Sequence, residues 1–147
     1  MAVAHGRYPT TVVHRLALLC LCAAYLQGAF NKATDFSSAV AELNHFGLSP
    51  SGPLALAVIG FEVAASWMVL TGFYRWLGAL GLAGFTLVAT FIANRFWEMA
   101  LPERFMAANS FFEHLGLVGG FVLVAWQDLR DADDFQETQD TIRRGMA

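Results

Sequence analysis

Six polar side chains occupy segments that are otherwise apolar: Lys32, Glu62, Thr90, Asn94, Glu113 and His114. Glu62 is the clearest case. It stands alone in AVIGFEVAASWMVLTG, which runs from position 57 to 72 with no other charge. A carboxylate there could exchange a proton, accept hydrogen bonds or hold a cation. Lys32 adds an ammonium donor, and Asn94 and His114 each carry donor and acceptor groups. Such a set could accept a proton or orient a small lipophilic or weakly acidic molecule.

Helical spacing assigns each of these groups a face. Ala55, Val58, Ile59, Ala65, Ser66 and Val69 share a side with Glu62, and small residues of this kind let helices approach closely in lipid. Ala79, Ala83, Thr86, Thr90, Asn94 and Glu98 follow one another at intervals of three or four, a stripe that turns from small to polar. Gly78, Gly81 and Gly84 form a glycine ladder in another register. Asn109, Glu113, Gly116 and Gly120 share a face, with His114 turned about 100° away. The expected arrangement is a pocket lined by Lys32, Glu62, Thr90, Asn94, Glu113 and His114, open to the outer side, with Lys32 paired to one of the carboxylates. The ordinary structural alternative is that Lys32, Glu98 and His114 reach out to interfacial water and that Glu113 caps a helix start.

The composition identifies the solvent that these groups meet. The 147 residues are 56% hydrophobic and 14% charged, against about 25% charged in ordinary soluble domains. The mean hydropathy of +0.49 points the same way. Only ten Asp, Glu, Lys or Arg lie between positions 16 and 127, and 16–31 and 76–94 contain none. Runs of this length cross a bilayer, because about 20 helical residues span about 30 Å of hydrocarbon. The fold class expected is all-α, an integral membrane four-helix bundle with spans at about 12–30, 54–73, 76–97 and 111–127. Residues 1–127 form the membrane domain and 128–147 an acidic polar tail. Arg7 and Arg15 before an apolar run also fit a signal peptide. The run is long for that role, however, and no small-x-small cleavage site follows in QGAFNKATD.

Four spans put both termini on one side. That side holds Arg7, Arg15, Arg75, Arg130, Arg143 and Arg144, against Lys32, Arg95 and Arg104 on the other, so the termini are expected in the cytoplasm. In the first outer loop, Phe36, Val40, Leu43 and Phe46 recur at helical spacing, which predicts a short amphipathic helix capped by Asp35 or Thr34.

Several chemistries find no support. The net charge of −3 and the lack of a basic cluster exclude nucleic acid as an expected partner. His5, His14, His45 and His114 are scattered, and neither H-x-x-x-H nor C-x-x-C occurs, so no metal site is expected. Cys20 and Cys22 point apart on a helix and do not suit an internal disulfide. No serine lies in a G-x-S-x-G context. No pattern identifies a reaction, and the chain is not expected to be an enzyme on its own.

Three segments in order resemble the DoxX-type family of membrane proteins: GAFNKATDF after the first span, GFEVAASWMVLTGFYRWLGAL across the second and third, and NSFFEHLGLVGGFVLVA in the fourth. The similarity covers roughly 16–126. In one departure, Glu113-His114 stand where members often have Lys-Asn. The resemblance implies a four-helix bundle in the cytoplasmic membrane of a bacterium. The family takes its name from a subunit linked to thiosulfate oxidation with quinone as acceptor, and other members are associated with redox-stress complexes. The fold also looks similar to eukaryotic four-span proteins that bind lipids or escort cargo. The resemblance therefore implies an accessory subunit or partner of a quinone-linked membrane redox system. No cofactor is evident in the residues themselves, although Lys32, Glu62 and Asn94 lie at a depth that a quinone ring could reach. The alternative is a non-enzymatic binder or transporter of a small lipophilic or weakly acidic ligand. Expected partners are the lipid bilayer and, through the glycine faces, another membrane protein or a second copy.

Overall fold

In a computed structural model of the chain, residues 7–145 are described, and His5 lies outside them. The described residues form five α-helices and no strand: α1 (Arg7–Thr34), α2 (Phe36–His45), α3 (Ser51–Thr71), α4 (Arg75–Ala93) and α5 (Glu103–Gly145), with a 3₁₀ turn at Phe96–Glu98 between the last two. Four of these segments are long and apolar enough to cross a membrane: Thr11–Thr34, Ser51–Thr71, Arg75–Glu98 and Glu103–Gly145. Their outward side chains are apolar. Val13, Leu16, Leu56, Trp67, Val88 and Leu123 are all exposed, a surface that is costly in water and ordinary in lipid.

The chain divides into two compact helical units, one ending at Gly72 and the other beginning at Phe73. In the first, α1 packs along α3, and the short α2 packs on both. The last turn of α1 is closed by the Thr34 hydroxyl, which donates to the carbonyls of Phe30 and Asn31 at 3.0 Å. One residue on, Asp35 is the N-cap of α2. Its carboxylate accepts the Ser38 backbone N–H at 3.1 Å and the Ser37 hydroxyl at 2.9 Å. These two donors hold the Asp35 carboxyl below the ordinary aspartate range, the Ser38 N–H having the larger effect. The expected amphipathic helix is thus present, although its fully buried residue is Ala39, with Val40, Leu43 and Phe46 half-buried.

Pro53 sits in the first turn of α3, where a missing N–H is tolerated. The helix stops at Gly72, whose φ of 85° is a left-handed cap that a side chain would disfavour. Tyr74 follows at φ 47° and leads into α4.

In the second unit, α4 and α5 pack on each other, with the 3₁₀ turn against α5. Ala79, Leu82, Ala83, Thr86 and Thr90 are buried on α4, and Ala107, Phe111, Phe121, Val124 and Ala125 on α5. At the far end from the 3₁₀ turn, Asp128 of α5 accepts the Trp76 backbone N–H at 3.2 Å and a contact from Arg75 Nη1 at 3.4 Å. An acid from one helix thereby caps the start of the other, where free N–H groups and the helix dipole favour negative charge.

The helix limits differ from the expectation in one place above all. The helix of the fourth span, α5, is longer than the apolar span expected at 111–127. It starts at Glu103, directly after Pro102, and runs through the acidic tail to Gly145 without a break. No proline or glycine interrupts 121–144, and solvated charges do not stop a helix that tertiary contacts have already nucleated. The glycine ladder of α4 also packs only in part. Gly78 is buried and Gly81 half-buried, but Gly84 is exposed with nothing within 4 Å of where its side chain would be.

Candidate functional site

In the first unit, two of the expected residues meet. Lys32 Nζ lies 3.1 Å from both Glu62 Oε1 and Glu62 Oε2. Lys32 is in the last turn of α1, the end of a helix where a cation is favoured. Glu62 lies mid-way along α3, about 14–17 Å from either end, on the side that buries Ala55, Ala65, Ser66 and Val69. The carboxylate is 5% exposed and the lysine side chain 26%. An ion at that depth is tolerated only when paired and hydrogen-bonded, and both carboxylate oxygens are.

Gly28, one turn before Lys32, makes the pairing fit. A methyl group there would lie 3.3 Å from Lys32 Nζ and 3.8 and 3.9 Å from the Glu62 oxygens. Sequence reasoning did not single out Gly28 as a site residue, although its spacing of four from Lys32 places both on one helix face. Below the pair, Cys22 and Ser66 are fully buried. Ser66 Oγ has no hydrogen-bond partner of good geometry, and its neighbour is the Cys22 thiol, a weak donor. Cys20, two residues away, is exposed, and both cysteines are free.

In the second unit, the expected polar stripe of α4 faces inward as far as Asn94. The Thr86 hydroxyl donates to the Leu82 carbonyl at 2.6 Å. Thr90 is 2% exposed, and its hydroxyl has no partner among the described residues. Asn94 Nδ2 lies 3.1 Å from His114 Nδ1 on α5. With the amide donating, that nitrogen is the acceptor of a neutral imidazole, which leaves Nε2 to carry the proton. Both residues are half-buried. Beside them Phe91, Phe96, Trp97 and Phe111 contact one another, mostly edge to face, and wall this end of the unit.

Glu113, the last of the six, and Glu98 at the end of the α4 stripe stand apart. Glu98 is exposed and pairs with Arg95 at 3.2 Å across one turn, an interfacial pair of small energetic consequence. Glu113 is exposed as well, where the sequence analysis expected it to line a pocket. The reason is helical phase. The packed side of α5 is centred near Ala107, Phe111 and Ala125, about 100° from Glu113. Glu113 is also not a helix cap, since it is the eleventh residue of α5. Asp128, which caps α4, was read only as the start of a tail. Its role depends on tertiary contact and leaves no local signal. Among the described residues, no three His, Cys, Asp or Glu cluster as a metal set.

Long apolar helices, lipid-suited outer surfaces and ion pairs confined to helix ends or interiors define a multi-pass membrane protein of all-α class. The DoxX family model matches residues 14–95, more than half of the chain, and the protein belongs to the DoxX family. The matched region includes Gly28, Lys32, Glu62, Thr90 and Asn94 but stops before Glu113 and His114. No curated protein and no solved structure matches the chain.

Proposed function

We propose that this DoxX-family protein is an accessory component of a quinone-linked redox system in the bacterial cytoplasmic membrane, with its termini in the cytoplasm. The observation that carries the reading is the Lys32–Glu62 pair. A lysine ammonium has three donors. Two engage the Glu62 oxygens, and the side chain is still 26% exposed, so one N–H is left for a ligand. Glu62 already balances the charge of Lys32. The free donor therefore suits a neutral acceptor better than an anion, and a quinone carbonyl is a neutral, lipid-soluble acceptor. Glu62, hydrogen-bonded to the same ammonium, would accept a proton released by a bound quinol whose two electrons pass to the redox protein that this chain assists. The second reading, a carrier of some other lipophilic or weakly acidic molecule, uses the same donor.

The test is extraction and mass spectrometry of lipophiles that co-purify with the chain from bacterial membranes in mild detergent. Near-stoichiometric quinone from the wild type, reduced about tenfold in Lys32→Met, is the expected result, as loss of one charged hydrogen bond implies. A non-quinone ligand lost in the same variant would select the second reading. If no ligand is recovered and quinone-dependent respiration is unchanged by Lys32→Met, both fail.

A further inference from the structure

We infer that the face of α5 carrying Asn109, Glu113 and Gly116 is a docking surface for a membrane-spanning helix of another protein that presents a lysine or arginine. The inference does not depend on the quinone reading. Glu113 lies ten residues, about 15 Å, into α5 from Glu103. The residues around it on the same exposed side are apolar: Phe105 and Met106 toward the helix start, Phe112 beside it and Leu123 beyond. Such an apolar side suits lipid, where a carboxylate without a partner is costly and nearly always faces a partner or a water-filled cavity. Among the described residues Glu113 has neither a hydrogen bond nor an ion pair, and it is exposed.

The backbone beside it is open. Gly116 is exposed, and nothing lies within 4 Å of where its side chain would be. Asn109, one turn the other way, is exposed too. An acid flanked by an amide and a small residue is a surface on which a second helix can approach closely and be held by a polar bond.

Charge decides which helix. A parallel second copy joined through this face would set Glu113 against Glu113, and its Lys32, Arg95 and Arg104 offer no cation to that acid. Lys32 is held by Glu62, and Arg95 by Glu98. Arg104 lies nine residues from Glu113 and, at 3.6 residues per turn, on the opposite side of α5. A foreign helix with a cation about 15 Å in from the corresponding end satisfies both the open glycine and the unpaired acid.

The full chain, reconstituted in phosphatidylcholine vesicles and labelled with a donor fluorophore, is titrated with acceptor-labelled synthetic peptides. One is a leucine-rich transmembrane host with a single lysine at the matching depth, and the other has leucine there. The lysine host should associate about tenfold more tightly than the leucine host, in line with polar contacts between membrane helices. In Glu113→Gln this preference should fall to about onefold, while Cys22 remains protected from thiol reagents as a sign of an intact fold. Gly116→Ile should weaken the lysine host by closing the approach. The inference is overturned if the wild type does not discriminate between the hosts, or if discrimination survives Glu113→Gln. It is also overturned if Gly116→Cys forms a disulfide dimer in most molecules, since the occupant would then be a second copy.

Discussion

Removing either member of the Lys32–Glu62 pair should destabilise the first unit by unequal amounts, because the two groups are unequally buried. Lys32→Met leaves a carboxylate that is 5% exposed without its cation. Breaking a buried pair in this way costs about 3–5 kcal/mol, and the partial exposure of the lysine puts this one at the lower end, about 3 kcal/mol. Glu62→Gln is milder. Its amide oxygen still accepts a hydrogen bond, and the freed ammonium, already 26% exposed, can swing its head to water on its flexible stem. The loss there is about 1 kcal/mol. Lys32→Met combined with Glu62→Leu replaces the pair by apolar groups and should return to within about 1 kcal/mol of the wild type. Gly28→Leu should behave like Lys32→Met, since even a methyl group there would sit 3.3 Å from Lys32 Nζ. In a chain of this length each kcal/mol moves the melting temperature by about 2–4 °C, so Lys32→Met should melt about 6–12 °C early and Glu62→Gln about 2–4 °C early. Melting in detergent can be followed by a thiol-reactive dye in a Cys20→Ser background, because Cys22 is 0% exposed until α1 leaves α3. The reasoning is refuted if Glu62→Gln costs as much as Lys32→Met, or if the double variant loses the sum of the two.

Two further predictions concern the helix caps. Asp128→Ala removes the acceptor of the Trp76 N–H and the partner of Arg75, and should cost about 1 kcal/mol, read as a fall of about 2–4 °C in the same assay, with Asp128→Asn recovering most of it. The Asp35 carboxyl is held below its ordinary range, so its contribution to α2 is present above that range and is lost as the pH falls through its lowered folded value. Hydrogen exchange of the α2 amides should therefore speed up selectively in acid, after correction for intrinsic rates, and Asp35→Ala should remove that pH dependence.

Much of this arrangement is legible from residue type and period. The small side chains around Glu62 recur at helical spacing, so its packed face can be derived before any coordinates. A lysine at the end of the preceding span is then the natural partner for an acid that must be neutralised. Asp35 as the cap of a loop helix follows from the same kind of local rule, as does the inward stripe ending at Asn94. What could not be read depends on tertiary phase and contact. Hydropathy marks where α5 is apolar, not where its hydrogen bonds begin or end, so it locates neither the start at Glu103 nor the end at Gly145. Glu113 shares a face with glycines, which suggested burial. The helix packs through a different side, and only the position of α4 determines which. Asp128 caps a helix that starts more than fifty residues earlier in the chain, a relation no window of sequence contains.

The unbroken course of α5 has a mechanical consequence. Its 43 residues measure about 64 Å, roughly twice the hydrocarbon thickness, so the part from 128 to 145 forms a rod of about 27 Å beyond the apolar segment. Because one hydrogen-bonded cylinder joins the two parts, a twist of the lipid-embedded portion is transmitted to the free end like the turning of a shaft. Each residue inserted near 130 would swing Phe135 and Ile142 by about 100° and carry them 1.5 Å outward. The bearing of those two side chains around the axis is therefore an external dial for the rotational setting of the embedded portion of α5.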